Sequence, residues 1–158
     1  MNNKPALKSD IRIDAEGLWF YRGKEMTRRD IVQFFYQNLI FDESGTYAVR
    51  VGQQTYRIEV EDTAFVVWDI RFVTGDDISR EYIELLLSDN RTERLDPETV
   101  YIAENDIPYC RIRNRLHRAR FSKSAYYKLA EHIQYDPQND RFYLELNGRL
   151  YLGTDHDK

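Results

Sequence analysis

The sequence predicts an α+β fold built from two related strand-helix-hairpin units, an internal structural repeat. Two observations predict it. Each half of the chain has, in the same order, a capped aromatic helix, an aromatic-Asp pair, a polar turn and a strand hairpin. The aromatic-Asp pair is Phe41-Asp42 in the first half and Tyr135-Asp136 in the second. Helical i, i+3, i+4 spacing also alternates with stretches of period two, which indicates a mixed fold.

The repeat sets the expected domain organisation. A chain of 158 residues has the length of one ordinary domain. We therefore expect a single domain over 1–158, with one unit at about 17–73 and the other at about 108–153. An acidic strand-loop segment, 74–107, would link them.

In the first unit, Leu18–Tyr21 is typical of a short strand because glycines flank it. Thr27 is expected to cap a helix over 28–40, since its hydroxyl can accept from an N–H of the first turn. Alternating apolar and polar residues over 47–60 predict a hairpin with its turn at Gly52.

Two strands follow, over 65–73 and 82–87. The first is the most apolar run of the chain, which is typical of a central strand. The second is short and bounded by polar loops.

The second unit opens at Pro108 with a strand in which Cys110 and Ile112 point to the core. Ser122 is expected to cap a helix over 123–133. Asn147-Gly148 predicts a type I′ hairpin turn, because both central residues of that turn need positive φ.

Composition indicates a globular protein with no targeting segment. Residues 1–10 are polar, so we expect neither a signal peptide nor a membrane-spanning helix. Cys110 is the only cysteine, so no internal disulfide can form. A cytoplasmic location is the resulting expectation, while the oligomeric state is left open.

Charge is unevenly spread although the net charge is only −4. Residues 59–106 carry fourteen acidic and four basic groups, whereas 107–123 carry six basic groups and no acidic one. The basic segment supplies the candidate site for a ligand or partner, with the alternating arginines expected on one strand face. The site residues are Arg111, Arg113, Arg115, Arg118 and Arg120, of which the first three alternate along the strand.

Three interpretations of the arginines stay open. They can pair internally with the acidic segment 59–106, since charge blocks are commonly paired faces. They can bind an anionic small molecule or protein partner, because guanidinium groups match carboxylate and phosphate geometry. They can bind a nucleic-acid backbone, although the acidic neighbouring segment would repel a long polyanion.

Other residue groups offer weaker chemistry. Glu59, Glu61 and Asp62 are the closest set of carboxylates, and a small metal-dependent hydrolase centred on them is the alternative function. Cys110 and His117 would have to be in contact to act as nucleophile and base. Cys110, however, is two residues from the core-facing Ile112 and is expected to point to the core as well. We predict no catalytic residue, no metal site and no cofactor.

Several sequence blocks together resemble the bacterial family known as domain of unknown function 1285, DUF1285. They cover about two thirds of the chain, and the Val-Glu-Asp element followed by Phe is the most specific. Members commonly have Pro before this Phe, where the present chain has Ala64. The blocks are Gly17-Leu18-Trp19-Phe20 to Gly23, Arg29, Val32, Phe34-Phe35, Gly45-Thr46-Tyr47, Val60-Glu61-Asp62, Phe65, Pro108-Tyr109, Arg113, Leu116, Arg120, Tyr126-Tyr127, Leu129 and Leu152-Gly153.

The resemblance implies an α+β fold of two related motifs and a role in signal transduction. It supplies no catalytic or binding residue. Together with the residue patterns it favours a non-catalytic binding or regulatory module that recognises an anionic ligand or protein partner.

Overall fold

The structure is a computed structural model that describes residues 5–42, 44–75 and 81–152. The chain divides into two compact units, Met1–Ala64 and Phe65–Lys158. Gly153, with which the predicted second repeat ends, lies outside the described residues, as do residues 76–80 of the predicted linking segment.

The described residues of the first unit form one mixed six-stranded sheet and a helix. The strand order is β3-β2-β1-β6-β5-β4, and the neighbours β1 and β6 run parallel. The elements are β1 (Leu7–Ile13), β2 (Trp19–Tyr21), β3 (Lys24–Glu25), α1 (Arg29–Gln37), β4 (Leu39–Phe41), β5 (Tyr47–Val51) and β6 (Gln54–Val60).

The core of this unit is centred on Trp19, which is 1% exposed. Its ring stacks on Phe35, with centroids 5.7 Å apart, and meets Tyr36 edge-on at 5.0 Å. The hydroxyl of Tyr36 donates to the carbonyl oxygen of Ala64 at 2.9 Å. The helix therefore buries Tyr36, whereas the neighbouring Phe34 is 44% exposed.

Helix α1 is shorter than predicted and begins differently. Arg28, with extended backbone, is the N-cap and supplies no side-chain cap, so the prediction of a Thr27 cap is wrong. Asp30 instead accepts from the Arg28 guanidinium at 2.7 Å. The helix ends at Gln37, because Leu39–Phe41 pairs with β5 as a strand.

The second unit has a six-stranded sheet, a three-stranded sheet and a helix among its described residues. The order of the larger sheet is β10-β11-β12-β7-β8-β9, with β12 and β7 parallel, and that of the smaller is β13-β14-β15. The elements are β7 (Phe65–Val73), β8 (Tyr82–Leu87), β9 (Thr92–Arg94), a 3₁₀ turn (Pro97–Thr99), β10 (Tyr101–Ile102), β11 (Pro108–Ile112), β12 (His117–Phe121), α2 (Lys123–Ala130), β13 (Ile133–Asp136), β14 (Arg141–Leu146) and β15 (Arg149–Leu152).

Local sequence signals explain α2 and the last hairpin. The hydroxyl of Ser122 accepts from the backbone N–H of Ala125 at 3.1 Å, which confirms the predicted cap. Ala125 and Leu129 are fully buried and form the core side of the helix. Asn147 and Gly148 have φ of 56° and 70°, as a type I′ turn requires.

The internal repeat is confirmed in the segments after each helix. α1 is followed by the antiparallel strands β4, β5 and β6, and α2 by β13, β14 and β15. Phe41 lies across from Tyr47 with ring centroids 5.5 Å apart, and Tyr135 lies across from Phe142 at 5.0 Å. The aromatic-Asp pairs thus occupy equivalent strand ends.

Candidate functional site

The five arginines of the basic segment separate into two groups. β11 ends at Ile112, and Arg113, Asn114 and Arg115 form a turn with φ of 54°, 57° and 66°. Strand alternation does not extend through such a turn, so the prediction that Arg113 and Arg115 share a strand face with Arg111 is wrong.

Arg113 is bound by acidic residues of its own unit. One of its terminal nitrogens donates to the carboxylate of Asp89, which is 2% exposed, and its Nε lies 3.6 Å from the Glu93 carboxylate. The Arg113 backbone N–H donates to Glu93 at 3.1 Å, and the guanidinium lies 4.9 Å from the ring centroid of Phe65. This side chain therefore holds the turn against β8 and β9.

Arg115 binds the 3₁₀ segment in a similar way. Its Nε donates to Asp96 at 2.8 Å and one terminal nitrogen to Glu98 at 3.1 Å. The hydrogen bonds that Arg115 donates to the Asp96 and Glu98 carboxylates raise the pKa of this guanidinium above its ordinary value. For Arg113 and Arg115, internal pairing with the acidic segment is therefore what the structure shows.

The remaining arginines lie on the β11–β12 hairpin. Arg111 is directly opposite Arg118, and Arg120 is opposite Tyr109, so the three arginines share one face. Arg118 donates to the Tyr101 hydroxyl at 2.9 Å and lies 4.6 Å from the Tyr109 ring centroid. A ligand role for these three residues stays a prediction.

Cys110 and His117 are poorly suited to nucleophilic chemistry. Complete burial, then the nearby carboxylates of Glu93 and Asp96, raise the pKa of the Cys110 thiol, which disfavours the thiolate. Burial and the charges of Arg113 and Arg111 lower the pKa of His117 to about 4. In the hairpin Cys110 pairs with Ala119 and His117 with Ile112, so the two are not direct cross-strand partners.

Two carboxylates of the alternative metal site, Glu59 and Glu61, lie at the end of strand β6 beside strand β1. Glu59 is in register with Arg12 on the neighbouring strand β1. The Glu61 carboxylate accepts from the backbone N–H of Ala15 at 2.5 Å, and its own N–H donates to the Ile13 carbonyl at 2.9 Å. Within residues 5–42, 44–75 and 81–152, no group of three or more His, Cys, Asp or Glu residues is arranged to hold a metal ion.

A cleft in the second unit was not predicted from the sequence. Its volume is about 440 Å³, and it lies between β10 with its following turn and the three-stranded sheet. Leu144 and Ile133 lie across from each other on β14 and β13, and Tyr151 is opposite Leu144 on β15, so all three occupy one face of this sheet. The residues that give the cleft its chemical character are Tyr101, Glu104, Asp106, Asp140, Phe142 and Tyr151.

Turns place the acidic groups of the cleft at its two sides. Glu104 and Asp106 belong to the turn after β10, which is closed by a bond from the Ala103 N–H to the Ile107 carbonyl at 3.0 Å. Asp140 comes from the turn between β13 and β14 and accepts from the Tyr135 hydroxyl at 2.5 Å. The hydrogen bond to Asp140 raises the pKa of Tyr135.

Arg141 is the basic member among the lining residues of this cleft. It lies directly across from Asp136 in the β13–β14 pair, where opposite charges stabilise a sheet. The cleft could not be predicted from the sequence, because the segments that form its two walls are about thirty residues apart along the chain.

Fold and site together define an α+β protein with an internal repeat and a mixed aromatic and acidic cleft. Residues 2–63 match the family model described as domain of unknown function (DUF1285), N-terminal domain. The resemblance to the DUF1285 family drawn from the sequence is confirmed for this N-terminal part of the chain.

Two solved structures share the fold. A DUF1285 family protein from Silicibacter pomeroyi DSS-3 is 19% identical with a TM-score of 0.74, over 96% of this chain and 84% of that one. A DUF1285 family protein from Shewanella baltica OS155 is 18% identical with a TM-score of 0.62, over 78% of this chain and 91% of that one. No curated protein matches the sequence.

Among the described residues, no helix combines the length and apolar character needed to cross a membrane. The cytoplasmic location stays a prediction.

Proposed function

We propose that this protein is a non-catalytic binding module whose ligand site is the cleft of the second unit. The observation that carries the proposal is the cleft itself, at about 440 Å³ with aromatic walls and acidic rims. Its volume lies within the range of about 300–1,000 Å³ that is usual for small-molecule sites, and its mixture of apolar surface and a few polar groups is typical of them.

The environments of the residues considered for catalysis, Cys110 and Glu61, favour a binding function over a catalytic one. The Cys110 thiol is buried, with a pKa raised by that burial. Glu61 holds a backbone N–H of the β1–β2 connection. These groups have structural tasks, which agrees with a module that recognises and does not transform its ligand.

The ion pairs of the β11–β12 turn also favour the cleft as the ligand site. An anion that bound Arg113 and Arg115 would have to compete with carboxylates already in place: Asp89, Glu93, Asp96 and Glu98. We therefore assign these two arginines to the scaffold. Recognition of an anionic protein partner remains a role for Arg111, Arg118 and Arg120, and either form of binding suits the regulatory role in signal transduction that the family resemblance implies.

A thermal-shift screen with a matched pair of variants tests the proposal, because any ligand of the native state raises the unfolding midpoint. Phe142→Ala removes a half-exposed ring from the cleft, whereas Tyr127→Ala removes a similarly exposed ring from α2, outside it. We expect hits with wild type and Tyr127→Ala that are lost with Phe142→Ala. Hits that survive Phe142→Ala unchanged would contradict the assignment of the cleft.

A further inference from the structure

We infer that the cleft recognises a small organic cation, an ammonium or quaternary ammonium group with an apolar substituent. The inference rests on the proposed function and adds the class of ligand. It follows from three properties of the cleft: the sign of its charge, the arrangement of its carboxylates and the chemistry of its rings.

The charge of the lining is negative. Glu104, Asp106 and Asp140 contribute three carboxylates, and Arg141 contributes one guanidinium. The three carboxylates outnumber this guanidinium, and Arg141 is in register with Asp136 across the β13–β14 pair. A cation that enters is attracted by this surplus, whereas an anion is repelled by it.

The carboxylates lie on opposite walls. Glu104 and Asp106 extend from the turn that joins β10 to β11, and Asp140 from the turn that joins β13 to β14. The Tyr135 hydroxyl bonds Oδ1 of Asp140 and so fixes this carboxylate at the rim. A single compact cation between the walls would interact with the carboxylates of both sides at once, so the ligand need not carry several charges.

The aromatic rings supply the second recognition element. Tyr101, Phe142 and Tyr151 line the cleft, and a cation is attracted to the face of such rings. The Arg149 guanidinium already lies 5.1 Å from the Tyr151 ring centroid, so Phe142, which is 48% exposed, is the ring most open to a ligand cation. The apolar floor formed by Leu144 and Ile133 would accommodate the substituent of the cation.

Three probes of similar size and different charge test the inference by amide chemical-shift titration of the full chain. They are benzyltrimethylammonium as the cation, benzyl alcohol as the neutral probe and phenyl phosphate as the anion. We expect the cation to shift residues 100–106 and 133–151, to bind at least about fivefold more tightly than benzyl alcohol, and to weaken as salt is added.

Charge-removing variants make the test specific. In Glu104→Gln/Asp106→Asn the side-chain shapes are kept, and Asn tolerates the positive φ of 63° at position 106. Glu25→Gln/Glu131→Gln is the matched control, since it removes the same charge from exposed positions outside the cleft. We expect the first double variant to weaken the cation about fivefold or more and the control to change it less than about twofold.

The outcomes separate the ligand class from the site. Equal binding of benzyl alcohol and the cation in the cleft, or tighter binding of phenyl phosphate there, would overturn the cation inference and leave the cleft as the binding site. An equal effect of the two double variants would also overturn it, because the attraction would then come from net charge alone. If none of the probes shifts the cleft residues, both the inference and the proposed function are contradicted.

Discussion

Arg113 binds the carboxylate of Asp89, and this carboxylate is among the most buried charged groups described in the chain. The pair joins the β11–β12 turn to the turn after β8. It joins the basic segment of the sequence to the acidic segment by a direct contact. The opposite charges of the two segments therefore contribute here to holding the fold together.

Loss of the Arg113 side chain is expected to destabilise the fold. Breaking a fully buried ion pair costs about 3–5 kcal/mol. Arg113 is 30% exposed, and Asp89 keeps a bond from the Arg91 N–H at 3.1 Å, so we expect Arg113→Ala to lower the free energy of unfolding by about 2 kcal/mol. Urea unfolding followed by tryptophan fluorescence measures this.

Arg115→Ala is the control for that experiment. Its ion pairs with Asp96 and Glu98 are more exposed, and exposed pairs contribute about 0–1 kcal/mol. If the two variants lost equal stability, the distinction between a buried and an exposed arginine would fail. If Arg113→Ala were as stable as wild type, its assignment to the scaffold would be wrong.

Cys110 is expected to be unreactive in the native protein. The thiol is completely buried, and burial raises its pKa, so both access and thiolate formation are disfavoured. A chromogenic disulfide reagent at pH 8 should modify the protein only after urea is added, and then with one thiol per chain. Rapid stoichiometric modification without urea would show that the β11 strand opens or that Cys110 lies elsewhere.

Stability is expected to fall on acidification through the range in which free histidine titrates. Burial first, and then Arg113 and Arg111, lower the pKa of His117 from 6.5 to about 4. Between these values the unfolded chain binds more protons than the native one, so the free energy of unfolding decreases as pH falls from 6.5 to about 4.

The His117→Phe variant isolates this contribution. It keeps an aromatic ring against Phe65, whose centroid lies 4.9 Å from that of His117, and removes the titrating group. Urea unfolding at several pH values between 7 and 4.5 should give a shallower decrease for the variant than for wild type. Identical slopes would contradict the assignment, as would an NMR titration that returned an ordinary histidine pKa for His117.

The equivalent aspartates of the repeat are expected to stabilise equivalent turns. Asp42 accepts from the backbone N–H groups of Ser44 and Thr46 at 3.0 and 2.9 Å, and Asp136 accepts from that of Gln138 at 3.0 Å. The side-chain hydrogen bond from Ser44 is the main cause that lowers the pKa of Asp42, and that from Asn139 is the main cause for Asp136. The backbone hydrogen bonds lower both pKa values further.

Asp42→Ala and Asp136→Ala should therefore each lower the melting temperature, whereas Asp42→Asn and Asp136→Asn, which keep an acceptor, should lower it less. Calorimetry measures the four variants side by side. A clear effect at one position and none at the other would show that the two turns, although similar in structure, do not have the same role.

Local signals in the sequence predicted the elements that depend on neighbouring residues. The bounds of the strands Phe65–Val73 and Tyr82–Leu87 agree with the prediction, since apolar pattern and flanking polar loops define them. The Ser122 cap and the Asn147-Gly148 turn were likewise predictable, because each depends on the conformational preference of one or two residues.

Elements that depend on distant partners were missed. Strand β1, Leu7–Ile13, was not predicted, because it is held by parallel pairing with β6, more than forty residues away. Leu39–Phe41 reads as the end of a helix until β5 pairs with it. Arg113 and Arg115 continue the alternating pattern of strand β11. That pattern does not predict the three consecutive positive φ values at residues 113–115.

A crystal structure of the full chain, soaked separately with benzyltrimethylammonium and with phenyl phosphate, is the sharpest test of a cation site in the cleft. We expect density for the cation in the cleft, between Glu104 and Asp140 and against the ring of Phe142, and none for the anion there. Density only beside Arg111, Arg118 and Arg120, with the cleft empty in both crystals, would contradict this expectation and favour an anionic site on the β11–β12 hairpin.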